Sequence, residues 1–126
     1  MIWTALGACS AFVSVALGAF AAHGLRNLLT PDLLAVFETG ARYQMMHALA
    51  LVLLGLGADR LPAAAVRNVA LLFLAGTLLF SGSLYALALT GARALGAITP
   101  LGGVAFLLGW AWLAVAAFTA ARKGRA

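Results

Sequence analysis

The chain has 126 residues, 65% hydrophobic and only 9% charged, with a formal net charge of +5 and a mean hydropathy of +1.08. Soluble domains carry about 45–50% apolar and about 25% charged residues, so this composition excludes a water-soluble fold and points to helices of about 20 residues crossing hydrocarbon. The short alternating strands of a membrane β-barrel are missing from the pattern. The basic residues are scattered singly apart from Arg122-Lys123-Gly124-Arg125, which argues against a nucleic-acid partner and for a tail facing anionic lipid. The single cysteine, Cys9, excludes an intrachain disulfide framework and a cysteine-built metal site.

The first span is expected at about 2–22, with no charge inside it. Leu6-Gly7-Ala8-Cys9 has the look of a lipoprotein processing box, but no basic stretch precedes it, so the segment reads as an uncleaved span. Ser10, Ser14, Gly18 and Ala22 recur at i, i+4 and form a small-residue stripe suited to close helix packing. Thr30-Pro31-Asp32 then supplies an N-cap, a first-turn proline and an acid for the positive end of a helix dipole. A short amphipathic helix is expected from Pro31, burying Leu33, Leu34 and Phe37. It either lies in the interface or runs through Gly40 into the second span as one bent helix. The second span is expected at about 41–58, ended by Asp59-Arg60-Leu61-Pro62; the third at about 67–90, closed by the turn Gly91-Ala92-Arg93. Thr99-Pro100 repeats the start signal and opens a fourth span at about 100–121. The expected fold is all-α: one transmembrane domain over 1–126, an integral-membrane antiparallel four-helix bundle with a short amphipathic helix between spans one and two.

Counting basic residues sets an orientation. One side holds Arg60, Arg67, Arg122, Lys123 and Arg125, the other Arg26, Arg42 and Arg93, so both termini are expected in the cytoplasm. Because successive spans alternate in direction, His23, Tyr43, Gln44, His47, Ser81, Ser83, Tyr85, Thr99 and Pro100 all fall in the opposite half. At about 1.5 Å per residue, His47 and the Ser81–Tyr85 segment reach similar depths. Thr4, Cys9, Ser10, Asn68 and Thr119 are expected in the cytoplasmic half. Tyr43 and His47 share a face, as do Ser81 and Tyr85, whereas Ser83 lies about 200° round from Ser81. Glu38 and Arg42, acid first at i, i+4, are expected to form a local structural ion pair.

The segments LGAFAAHGL (17–25), FETGARYQMMHALAL (37–51), LFSGSLYALAL (79–89) and ITPLGGVAFLLGWAWL (98–113) occur in order across nearly the whole chain. In these the sequence resembles the YgdD-type family of small inner-membrane proteins of unknown function, which also has mitochondrial transmembrane relatives. The resemblance implies a four-span protein of the inner (plasma) membrane and brings no activity, ligand or catalytic residue with it. Ala21 departs from the family pattern, which has a glycine there, and loosens the case for very close backbone contact at that point.

An ionisable residue inside the membrane is a functional candidate by default, and His47 is the foremost one here. His47, Tyr43, Gln44, Ser81 and Tyr85, with His23 at the rim, are expected to line a polar intramembrane pocket. That pocket either cements the bundle or accepts a lipid-like molecule or a partner helix. Trp110 and Trp112 fall near mid-membrane by helix rise, where each indole N–H needs an acceptor. A small transporter or proton-coupled channel is the alternative, set back by the lack of an internal repeat, broken helices and a mid-membrane acid. Haem ligation by His23 with His47 stands behind it. No nucleophile–base pair, phosphate loop, carboxylate pair or zinc spacing is present, so a non-enzymatic protein without cofactor is expected. Its expected partners are membrane lipids and a second copy of the chain or another membrane protein.

Overall fold

In the computed structural model, which describes Met1–Lys123, α1 (Ile2–Phe20) continues through a π-turn at Ala21–Leu25. Then follow α2 (Pro31–Leu56), α3 (Ala63–Gly76), a π-turn at Thr77–Ser81, α4 (Gly82–Thr90) and α5 (Thr99–Lys123). Arg125 of the basic tail lies outside the described residues. No strand occurs among the described residues. Three continuous helical stretches, Ile2–Leu25, Ala63–Thr90 and Arg93–Lys123, are long and apolar enough to cross a membrane. At 26 residues α2 is also long enough, about 39 Å at 1.5 Å per residue, but Arg42, Gln44 and His47 dilute its apolar run.

The segment at Pro31 is not a separate amphipathic helix. It forms the first turns of α2, capped by the Thr30 hydroxyl, which accepts from the Leu33 N–H at 3.4 Å. Gly40 does not break the helix; a Cβ there would stand 2.9 Å from the Tyr85 ring, so its role is to admit α4. The third helical stretch begins at Ala63 rather than at Arg67, because Pro62 stops the preceding turn and leaves the alanines free to enter the helix. Gly91, with φ +71°, closes α4 by donating its N–H to the Leu87 carbonyl at 2.8 Å.

Packing is by small residues. On α1 and α2 the partners are Thr4 with Gly55, Gly7 with Ala48 and Val52, Ser10 with Gln44 and Ser14 with Ala41, so numbers fall on one helix as they rise on the other. Between α5 and the third stretch the pairs are Gly102 with Phe80, Gly76 with Phe106 and Gly109 with Phe73, again in opposed order. α1 packs on α2 and α5 on α3 and the Thr77–Ser81 turn, while the backbones of α2 and α5 stay apart. Along the molecule two apolar clusters, one around Leu51, Val69 and Phe73 and one around Leu25, Phe37 and Ala88, bracket a layer holding the buried Ser14, Gln44, His47, Ser81 and Ser83. Outward faces carry Phe12 and Val15 on α1 and Leu107, Val115 and Phe118 on α5, an apolar surface that hydrocarbon accepts and water does not.

The glycines separate contact from open surface. Gly102→Leu drives a side chain into the Phe80 backbone and is expected to destabilise by about 3 kcal/mol, the upper end of overpacking costs. Gly18→Leu, with nothing within 4 Å, is expected to leave the thermal midpoint of the detergent-solubilised protein unchanged.

Candidate functional site

The polar layer divides into an inner and an outer part. In the inner part the Gln44 carboxamide donates from Nε2 to the Ser10 carbonyl at 3.1 Å and to its hydroxyl at 3.3 Å, and accepts at Oε1 from the Tyr85 hydroxyl at 2.7 Å. One side chain thus ties α1 and α4 to α2. Ser14 adds a hydrogen bond to the Ala41 carbonyl at 2.7 Å, and the Tyr85 ring packs on Phe37 at 4.8 Å between centroids.

The outer part centres on His47, buried on the α5 side of α2. Its Nδ1 lies 2.8 Å from the Tyr43 carbonyl, which can only accept, so Nδ1 carries the proton. Nε2 is then the acceptor for the Trp110 indole N–H at 3.1 Å, supplying the partner that a mid-helix tryptophan needs. Phe106 lies flat on the imidazole, with centroids 3.4 Å apart and planes 9° from parallel, and Phe73 meets it edge-on at 5.3 Å. Gly76 and Gly109 leave the room these two phenyl rings occupy. Tyr43 extends the aromatic wall onto Phe80 at 4.6 Å.

Beside this wall, between α2 and α5, lies a cleft of about 390 Å³. Tyr43 and His47 of α2 and Phe80 of the Thr77–Ser81 turn form one flank, and Pro100, Gly103, Leu107 and Trp110 belong to the α5 side. Tyr43 and Trp110 remain 37% and 46% exposed, so the cleft opens laterally, toward what surrounds the helices.

The residues expected in one pocket therefore occupy four places. Tyr43 and His47 line the cleft; Gln44 and Tyr85 pair with each other away from it; His23 is exposed on the Ala21–Leu25 turn. Ser81 is fully buried and its hydroxyl has no partner; it ends the π-turn, in which the Gly82 N–H donates to the Thr77 carbonyl. Ser83 faces α5, sharing a 2.7 Å hydrogen bond with Thr99, whose hydroxyl is thereby engaged beside the start of α5 rather than capping it. Glu38 and Arg42 lie one turn apart on the exposed side of α2. Ser10, expected in the other half, stands level with Gln44, because α2 begins at Pro31 and so brings Gln44 opposite the middle of α1. Phe106 and Gly103 carry no polar signal in the sequence, and only the need of an indole for an acceptor marks Trp110.

Among the described residues no group of three or more His, Cys, Asp or Glu side chains is arranged to hold a metal. Both nitrogens of His47 already have protein partners and offer no free lone pair to a haem iron.

The inner network yields a stability test. Gln44→Leu strands the Tyr85 hydroxyl and is expected to cost about 1–2 kcal/mol, near the upper range for hydrogen bonds between membrane helices. Tyr85→Phe strands the carboxamide oxygen in turn. The double variant, with neither partner left alone, is expected to lose less than the sum of the two in a thermal-unfolding cycle followed by circular dichroism.

No solved structure matches the chain. Residues 17–103 match the family described as "Protein of unknown function (DUF423)". Among relatives, the "UPF0382 membrane protein YwdK" of Bacillus subtilis (strain 168) is 47% identical over 117 residues, covering 92% of this chain and 95% of that protein. A "UPF0382 membrane protein" of Haemophilus influenzae is 47% identical over 113 residues, 90% of each chain. The "UPF0382 inner membrane protein YgdD" of Escherichia coli (strain K12) is 42% identical over 117 residues, 93% of this chain and 89% of that protein. With more than half its length matched by the family and relatives similar over nine-tenths of it, the chain is a membrane protein belonging to the DUF423 (UPF0382) family.

Proposed function

We propose that the protein is a multi-pass, antiparallel four-helix bundle of the cell inner membrane, both termini cytoplasmic, that holds a lipid-like amphipathic molecule in the cleft between α2 and α5. It acts by binding, not by catalysis. The observation that carries this reading is the cleft itself: about 390 Å³, within the about 300–1,000 Å³ range of small-molecule sites, and open to the side. Its chemistry suits an amphipathic guest. Phe80, Leu107 and the faces of Tyr43 and Trp110 accept a hydrocarbon chain or ring, and the Tyr43 hydroxyl supplies a polar contact.

The reading also accounts for the division of the polar layer. Gln44, Tyr85, Ser10 and Ser14 satisfy one another inside the bundle and act as cement, whereas His47 and Trp110 fix the wall of a cavity. A hydrogen-bonded indole is a rigid wall, and rigidity reduces the entropy lost on binding.

Gly103 is the position for a test, since a Cβ there meets only Phe80, at 3.9 Å. Gly103→Leu is expected to fill the cleft while leaving the melting temperature within a few degrees of the parent. Native mass spectrometry of the two proteins, extracted gently from the membrane, then reads the outcome. Loss of a co-purifying amphipathic species in the variant is expected; identical bound species in both contradict the proposal.

A further inference from the structure

The seam between α2 and α5 continues past Trp110 toward the opposite end of the molecule. There a second, narrower groove of about 200 Å³ runs between Leu53, Gly57 and Leu61 on one side and Trp110 and Leu113 on the other. Trp110 brings its only side-chain polar group, and that N–H is already donated to His47. The groove has room for a length of hydrocarbon and no partner for a headgroup.

The partner for a headgroup lies at its end. Leu61 lines the groove, and the residue before it, Arg60, is exposed. The pairing order Phe80–Gly102, Gly76–Phe106 and Phe73–Gly109, continued down the two helices, brings Arg122 and Lys123 level with the Arg60–Pro62 turn. Arg67 follows about one turn into α3. Among the described residues this end therefore presents exposed Arg60, Arg67, Arg122 and Lys123 against a single side-chain carboxylate, Asp59. At the other end Arg26, Arg42 and Arg93 are offset by Asp32 and Glu38.

We infer that this groove is a binding site for an anionic glycerophospholipid, with one acyl chain between Leu53, Gly57 and Leu113 and the phosphate on the cations around Arg60. Charge complementarity selects the occupant. Any bilayer lipid offers a chain to an apolar groove, but only an anionic headgroup gains from a basic rim at the depth where headgroups lie. The site is separate from the cleft beside Tyr43, from which the Trp110 indole divides it, and does not depend on that cleft being occupied.

The experiment uses the full chain in mild detergent, titrated with phosphatidylglycerol and with phosphatidylcholine of identical chains, bound lipid being counted by native mass spectrometry. The parent is expected to prefer phosphatidylglycerol by about fivefold or more, the worth of one surface cation. Arg60→Ala, a surface change, is expected to remove most of that preference. Gly57→Leu, whose Cβ has ordinary contact with the Leu53 carbonyl at 3.4 Å, is expected to fill the groove and lower binding of both lipids. Gly103→Leu, which fills only the other cleft, is expected to leave the preference intact. Equal binding of the two lipids by the parent, or a preference that survives Arg60→Ala and Gly57→Leu together, overturns the inference. A preference lost with Gly103→Leu alone does so as well, by placing the lipid in the wrong groove.

Discussion

The Gln44 carboxamide sits where three helices meet, and both its ends are used: the amide toward Ser10 on α1, the oxygen toward Tyr85 on α4. Between helices in hydrocarbon there is little hydrophobic driving force, since lipid tails are as apolar as leucine. Association relies on close van der Waals packing and on polar groups that find partners inside the protein. The small residues around Gln44 follow from that constraint. Gly7, Ser10 and Ser14 let α1 approach, and Gly40 lets the Tyr85 ring reach the carboxamide. The apolar clusters above and below then keep competing polar groups out of the layer.

The other side of α2 is built differently. α5 is held to α3 and the Thr77–Ser81 turn through Gly102, Gly109 and the facing phenyl rings, and it approaches α2 through the His47, Phe106 and Trp110 rings rather than backbone to backbone. Rings stand the two helices apart. The result is a seam with a wider and a narrower opening on either side of one indole. On the proposed reading this contrast is the function: half of the polar layer closes the bundle, and the other half keeps a lateral opening from closing.

Much of this was legible from residue types. Composition made the chain a helical membrane protein, Thr30-Pro31 marked the start of α2, Gly91 the end of α4, and the mid-membrane position of Trp110 required an acceptor. The four motifs carried the family. What escaped was rotation and register. Alternation of span direction puts Tyr43, Gln44, His47 and Tyr85 at one depth, but successive helical positions lie about 100° apart, so Tyr43 and Gln44 address different neighbours, and the roughly 60° between Gln44 and His47 is enough to turn one toward α1 and α4 and the other toward α5. The π-turn at Thr77–Ser81 resets the phase of the third stretch, and no local signal announces it; beyond it Ser83 reaches Thr99, while Ser81 at its end has no partner. Ser10 was misplaced in depth because the extra turns of α2 before Ala41 shift its pairing with α1.

The central claim is that the α2–α5 seam is a held opening and not a gap waiting to be packed. The most direct measurement is an electron cryomicroscopy structure in nanodiscs of native membrane lipid. The account predicts elongated non-protein density in the cleft against Tyr43, Phe80 and Trp110, with the Gln44–Tyr85 hydrogen bond intact and α5 no closer to α2. A structure in which α5 has moved onto α2 and closed the cleft would contradict it, as would one in which a protein helix fills that space.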